Sequence, residues 1–143
     1  LPIGKADLVV KGKNIAILAF GSMVTPALAA GKKLGASVVN MRFVKPLDES
    51  MVIQMASQHD LIVTIEENVI AGGAGSAINE LLASMTSAPT ILNLGLPDKF
   101  VEHGDHGVLL SDCGLDEAGI IASIEQLQTS NSAQALPVGA NSK

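Results

Sequence analysis

Tryptophan and tyrosine are absent from the 143 residues, and three phenylalanines bring the aromatic content to only 2%. Surfaces that stack bases or sugar rings need more aromatic area than that. Cysteine is nearly absent as well. Cys113 stands alone, so no internal disulfide can form and a reducing compartment is expected. Charged residues are sparse at 16%, and basic ones sparser still, with nine Lys and Arg against fourteen Asp and Glu. The basic residues are scattered and the net charge is −5. That excludes the basic stripe expected of a nucleic-acid-binding face. What is abundant is apolar material, at 48%, enough to build a full core in a chain long enough for one domain. Composition therefore points to a soluble cytoplasmic α/β domain and excludes a chain disordered throughout.

No charged side chain occurs from Asn14 to Gly31, a stretch nearly long enough to span a bilayer. Gly21, Ser22, Thr25 and Pro26 interrupt it, so it is not a continuous apolar helix. Lys11 and Lys13 ahead of Ile15–Phe20, with Ala27-Leu28-Ala29 after it, imitate a secretory signal. The apolar run is too short for that, and reads instead as a buried strand over Asn14–Phe20, a turn at Gly21-Ser22, and a helix through Leu34. The chain opens on Leu1 rather than Met, as a piece of a longer protein would.

Further strands are expected at Leu8–Val10, Ala36–Met41, Leu61–Ile65 and Ile91–Leu94, where apolar and β-branched residues cluster. Helix-period segments lie between them, and that alternation implies parallel strands in a sheet covered on both faces. One helix starts after Asp48 as N-cap, with Pro46 blocking backward extension and Leu47 stapling Val52. Another starts after Asp116, with Leu115 stapling Ile120. A third carries Ala77, Ile78, Leu81, Leu82 and Met85 on one face. Residues 1–13 read as a leading strand or linker, 14–127 as the folded domain, and 128–143, which are small, polar and aperiodic, as a disordered tail.

Three segments could carry chemistry. The turn Gly72-Gly73-Ala74-Gly75-Ser76 precedes a helix, and glycines there let backbone N–H groups approach an anion. It lacks the third glycine of the dinucleotide fingerprint and the Gly-Lys-Ser/Thr of a phosphate loop. Glu66 and Glu67 just upstream would repel a phosphate unless they point away. The turn therefore reads first as a close-packing device and second as a free-standing anion- or nucleotide-binding or protein-interaction module. Close packing requires Gly73 or Gly75 to have positive φ or an approach too tight for a Cβ. His103, Asp105 and His106, with Asp98, Glu102, Asp112 and Cys113 nearby, are the residue types of a metal site, and their short spacing is like part of a metallohydrolase signature, but a catalytic zinc needs about three protein ligands and His59 is the only further imidazole. Arg42, followed by Pro46 and Asp48, sits with Glu66 at C-terminal strand ends, the functional edge of such sheets. The two could meet there as a structural ion pair.

Taken together, Met41–Asp48 (MRFVKPLD), Glu66-Glu67-Asn68, Gly72–Ser76 with Asn79-Glu80, Leu94–Phe100 (LGLPDKF), His103-Gly104 and Gly114–Ile120 (GLDEAGI) resemble the C-terminal domain of the 1-deoxy-D-xylulose-5-phosphate synthase family. The resemblance spans nearly all of Leu1 to Leu127. It implies a three-layer α/β/α sandwich whose mostly parallel five-stranded sheet has an antiparallel edge strand, as in transketolase C-terminal domains. It also implies a parent enzyme that uses thiamine diphosphate and Mg2+ to join pyruvate to glyceraldehyde 3-phosphate. That enzyme would be a homodimer in a bacterial cytoplasm or a plastid stroma. The Gly-Asp-Gly diphosphate motif has no counterpart here, since Gly104-Asp105 is followed by His106. No catalytic, cofactor-binding or metal-binding residue therefore carries over. Arg42, Pro46, Asp48, Glu66, Glu67, Gly72, Gly73 and Gly75 are expected to serve structure and interface, and the fragment alone is expected to be inactive.

Overall fold

A computed structural model describes residues 3–69, 73–96 and 113–141. Strands β1 (Asp7–Val10), β2 (Ile15–Ala19), β3 (Ser37–Asn40), β4 (Leu61–Val69) and β5 (Thr90–Leu96) form one sheet in the order β1-β3-β2-β4-β5. β1 runs antiparallel to β3, and the other pairs are parallel. The helices are α1 (Val24–Leu34), α2 (Glu49–Gln58), α3 (Ala74–Ala83) and α4 (Glu117–Asn141). The expected five-stranded sheet with one antiparallel edge is what forms.

Strand alternation divides the core in two. Side chains at Ile15, Ile17 and Ala19 of β2 and Val63 and Ile65 of β4 pack with Ala27 and Ala30 of α1 and Ile120 and Ile124 of α4. Their neighbours Ala16, Leu18 and Ile62 face the other way, onto Val52 and Met55 of α2 and Ile78 and Leu82 of α3. All of β2 is buried, as expected of a central strand covered on both faces. That is why it reads as an unbroken apolar run rather than an alternating one.

The helix starts follow local chemistry. Pro26 lies in the first turn of α1, where its missing N–H removes no helical bond. The Asp48 side chain accepts from the Met51 N–H, and Asp116 accepts from Gly119 N–H at 2.8 Å. Both caps were legible in the sequence. Two expectations need correction. α3 begins at Ala74, ahead of Ala77, so Gly75 and Ser76 lie inside the helix rather than in a turn. α4 stays helical through Asn141, across most of the segment expected to be a disordered tail. Between Gly119 and Pro137 no glycine or proline interrupts the chain. Among the described residues, no helix is long and apolar enough to cross a membrane.

Ile17 is fully buried at the centre of this arrangement. Ile17→Ala is expected to lower the unfolding free energy by about 2–5 kcal/mol in urea titration, through lost burial and the cavity left behind.

Candidate functional site

β4 carries Glu66 to the C-terminal edge of the sheet, where its side chain is only 1% exposed. The Ala74 N–H donates to Glu66 Oε1 at 2.8 Å and the Gly75 N–H to Oε2 at 2.6 Å. These are first-turn amides of α3, and the N-cap residue Gly73 has no side chain to cap them. Glu66 caps the helix from a neighbouring strand instead. A carboxylate here meets both the free donors and the positive end of the helix dipole. Each charge-assisted bond of this kind contributes about 1.5–3 kcal/mol.

Gly75 is held against the sheet. A Cβ on it would lie 3.0 Å from Asn93 Nδ2, 3.0 Å from Thr64 Oγ1 and 3.1 Å from Glu66 Oε2. Gly73 has an ordinary φ of −91°, so it is tight approach at Gly75, not positive φ, that makes a side chain there displace its neighbours. Behind it runs a polar chain in which Asn79 Nδ2 donates to Asn93 Oδ1 and Asn93 Nδ2 to Thr64 Oγ1, each at 2.7 Å. Sequence reasoning missed Thr64 and Asn93 and placed Asn79 only among the segments that carry the family resemblance. The available signal was a polar residue inside each of two apolar runs, and the parallel register pairs Thr64 with Asn93.

This geometry corrects the anion-site reading of Gly72–Ser76. The donors that would hold a phosphate already hold Glu66. A second anion about 4 Å from that carboxylate would meet about 4 kcal/mol of repulsion at an effective dielectric near 20. Gly72 lies outside the described residues. Glu67 points elsewhere, its Oε1 accepting from the Ser22 hydroxyl.

Arg42 and Glu66 also take separate partners. Arg42 adopts φ +63°, and its N–H donates to Asn40 Oδ1 at 3.1 Å. Its guanidinium donates to the Lys5 carbonyl at 3.2 Å and lies 5.0 Å from the centre of the Phe43 ring. Pro46 follows a cis peptide bond. Asp48, buried beneath this loop, accepts from the Ala6 N–H at 2.8 Å and from Met51 N–H and Ser50 Oγ at 3.2 Å. Burial works against its charged form, but those bonds from Ala6, Met51 and Ser50, with the Lys5 charge, outweigh it and hold the pKa below 3.8. Arg42 and Asp48 thus fasten the segment before β1 to the loop after β3, where the sequence had suggested a pairing with β4.

The candidate metal ligands Asp98, Glu102, His103, Asp105, His106 and Asp112 lie outside the described residues. Cys113 is half-buried against the α1–α4 face of the core, and His59 sits at the opposite edge of the sheet, before β4. Among the described residues no three His, Cys, Asp or Glu side chains are placed to hold a metal. At the start of α3, where a cofactor diphosphate could meet free amides, Glu66 already takes the Ala74 and Gly75 N–H groups, so that helix end does not fit thiamine diphosphate.

A family model described as "Transketolase, C-terminal domain" matches residues 4–120. The chain is 58% identical over 126 residues to the 1-deoxy-D-xylulose-5-phosphate synthase of Nitrosomonas europaea, covering 88% of this chain and 20% of that protein. The synthase of Ralstonia pickettii is 56% identical over 131 residues (88% and 21%) and that of Chromobacterium violaceum 59% over 126 (88% and 20%). The chain thus spans about a fifth of the length of the curated relatives it matches. Among solved structures, a split-gene transketolase described as an inactive β4 tetramer superposes with TM-score 0.80 at 31% identity, over 88% of this chain and 43% of that one. A transketolase from Campylobacter jejuni gives TM-score 0.62 at 16% identity, over 86% and 18%, a likeness of fold alone. The family resemblance read from the sequence is borne out.

Two outcomes follow from the site. Glu66→Gln, which keeps the shape and removes the charge, and Gly75→Val, which forces a side chain into the polar cluster, should each lower the unfolding free energy by about 1–3 kcal/mol in urea. Asp48→Ala should cost about 1–2 kcal/mol near neutral pH. Because the folded Asp48 pKa lies below its ordinary value, the charged form's contribution is complete above about pH 4 and fades as pH falls through the folded value. The gap between wild type and Asp48→Ala should therefore narrow in melting curves recorded below about pH 4.

Proposed function

The chain belongs to the transketolase C-terminal domain family, and from that premise we propose that it is the C-terminal structural domain of a 1-deoxy-D-xylulose-5-phosphate synthase. The observation that carries this reading is 58% identity to such a synthase across 88% of the chain. The parent enzyme would be a transferase that decarboxylates pyruvate and joins the two-carbon unit to glyceraldehyde 3-phosphate, giving 1-deoxy-D-xylulose 5-phosphate and CO2. That product feeds isoprenoid, thiamine and pyridoxal synthesis. Thiamine diphosphate and Mg2+ would be bound by the parts of the parent not represented here, in a homodimer of the bacterial cytoplasm or plastid stroma.

The domain's own contribution would be mechanical. Glu66 closes the C-terminal edge of the sheet from within, and the Arg42–Asp48 loop fastens the lead-in segment to the edge. Both hold neighbouring backbone segments together through side-chain hydrogen bonds. The domain alone would neither turn over pyruvate nor bind the cofactor.

A domain exchange tests this. The chain would replace the matched 126 residues of the Nitrosomonas europaea synthase. The chimaera is expected to keep at least about a tenth of the parent kcat, a barrier change of under 1.4 kcal/mol. The isolated chain should show no pyruvate consumption and no micromolar thiamine diphosphate binding in titration calorimetry. A folded but inactive chimaera, or micromolar cofactor binding by the chain alone, would contradict the proposal.

A further inference from the structure

The opposite, N-terminal edge of the sheet holds a cleft of about 430 Å³ between the β1–β2 connection and the end of α2. Lys11, Lys13, Ser37, Gln54, Gln58 and His59 line it, and among the described residues no Asp or Glu does. Asp60, next to His59 in sequence, lines the neighbouring groove instead. In a chain with net charge −5 this is a local concentration of positive charge and neutral donors. None of it takes part in the site at the other edge.

The floor of the cleft is rigid. His59, 9% exposed, is held at both ring nitrogens. Nδ1 lies 2.7 Å from the Met55 carbonyl, which can only accept, so Nδ1 carries a proton. Nε2 lies 2.8 Å from Ser37 Oγ, and Ser37 Oγ accepts the Gly12 N–H at 2.8 Å. The wall bearing the lysines is fixed too. A Cβ on Gly12 would lie 2.3 Å from the Gly35 carbonyl oxygen, and the Lys13 N–H donates to that same oxygen at 2.9 Å. Lys11 and Lys13 thus project from a backbone pressed onto the α1–β3 turn, with their exposed side chains over the polar floor. The C-terminal end of α2 contributes partial negative charge, about half an elementary charge. His59 covers one of its carbonyls, and two full lysine charges exceed the remainder.

We propose that this cleft binds a small phosphate monoester, with the phosphate held by Lys11 and Lys13 and the ester body lying along Gln54, Gln58 and the Ser37–His59 floor. The volume is that of a small-metabolite site and exceeds what a bare phosphate fills. The proposal is independent of the synthase assignment, since it needs only this chain.

Amide-resolved NMR titration of the chain with inorganic phosphate and with glycerol 2-phosphate tests it. Saturable shifts are expected at Gly12, Lys13, Ser37 and His59, with the ester binding at least threefold more tightly than phosphate. Lys11→Ala/Lys13→Ala should weaken binding at least tenfold. Lys32→Ala/Lys45→Ala, the same charge change at lysines that do not line the cleft, should alter it less than twofold. Equal weakening in both double variants, or shifts spread over all lysines, would reduce the effect to general charge attraction and overturn the proposal. Equal affinity for phosphate and the ester would overturn the monoester assignment. Absence of saturation into the millimolar range would overturn the site altogether.

Discussion

The two hydrogen bonds from the Ala74 and Gly75 amides to the Glu66 carboxylate constrain nearly everything at the functional edge of this sheet. A glycine-rich helix start offers donors and a positive dipole to any anion of the right size. Here the anion is covalently part of the preceding strand. It ties the first turn of α3 to β4, the strand that carries it. It also leaves little room at position 75, where a Cβ would crowd Thr64, Asn93 and Glu66 itself. A buried carboxylate left without those donors would be costly, so the carboxylate and the bare helix start depend on each other.

Among the described residues, the Ala74 and Gly75 amides at that edge are already taken by Glu66. About four-fifths of each curated relative lies outside the matched region. The Arg42–Asp48 loop is held by the same kind of bond between side chain and backbone. Arg42, in a left-handed conformation and lying over Phe43, donates to the Lys5 carbonyl, and Asp48 accepts from Ala6. Backbone approaching the domain from its N-terminal side is therefore fixed in direction before β1 begins.

Much of the fold was legible because the signals were local. The buried run at Ile15–Ala19, the caps at Asp48 and Asp116, and the staple at Leu115 and Ile120 each depend on residues within a turn or strand of one another. The site was less legible because its determinants are not local. Nothing in a window around Gly75 reveals that a carboxylate nine positions back will cap its amide, and two glutamates in sequence look like the end of a strand rather than its continuation. For the same reason Arg42 and Glu66, both at strand ends, were expected to meet, while a lead-in carbonyl and two helix amides took them instead. The helical extension past Leu127 was hidden by a different cause, since sequence patterning reports packing more readily than intrinsic helix propensity.

Amide hydrogen exchange at Ala74 and Gly75 tests the Glu66 cap most directly. First-turn amides of a helix have no intrahelical acceptor and ordinarily exchange quickly. If Glu66 holds both, their exchange should be slowed to rates near those of the β2 core amides, and Glu66→Gln should speed both while leaving β2 unchanged. Fast, unprotected exchange at Ala74 and Gly75 in the wild-type chain would contradict the cap, and the N-terminus of α3 would then be open to an external anion.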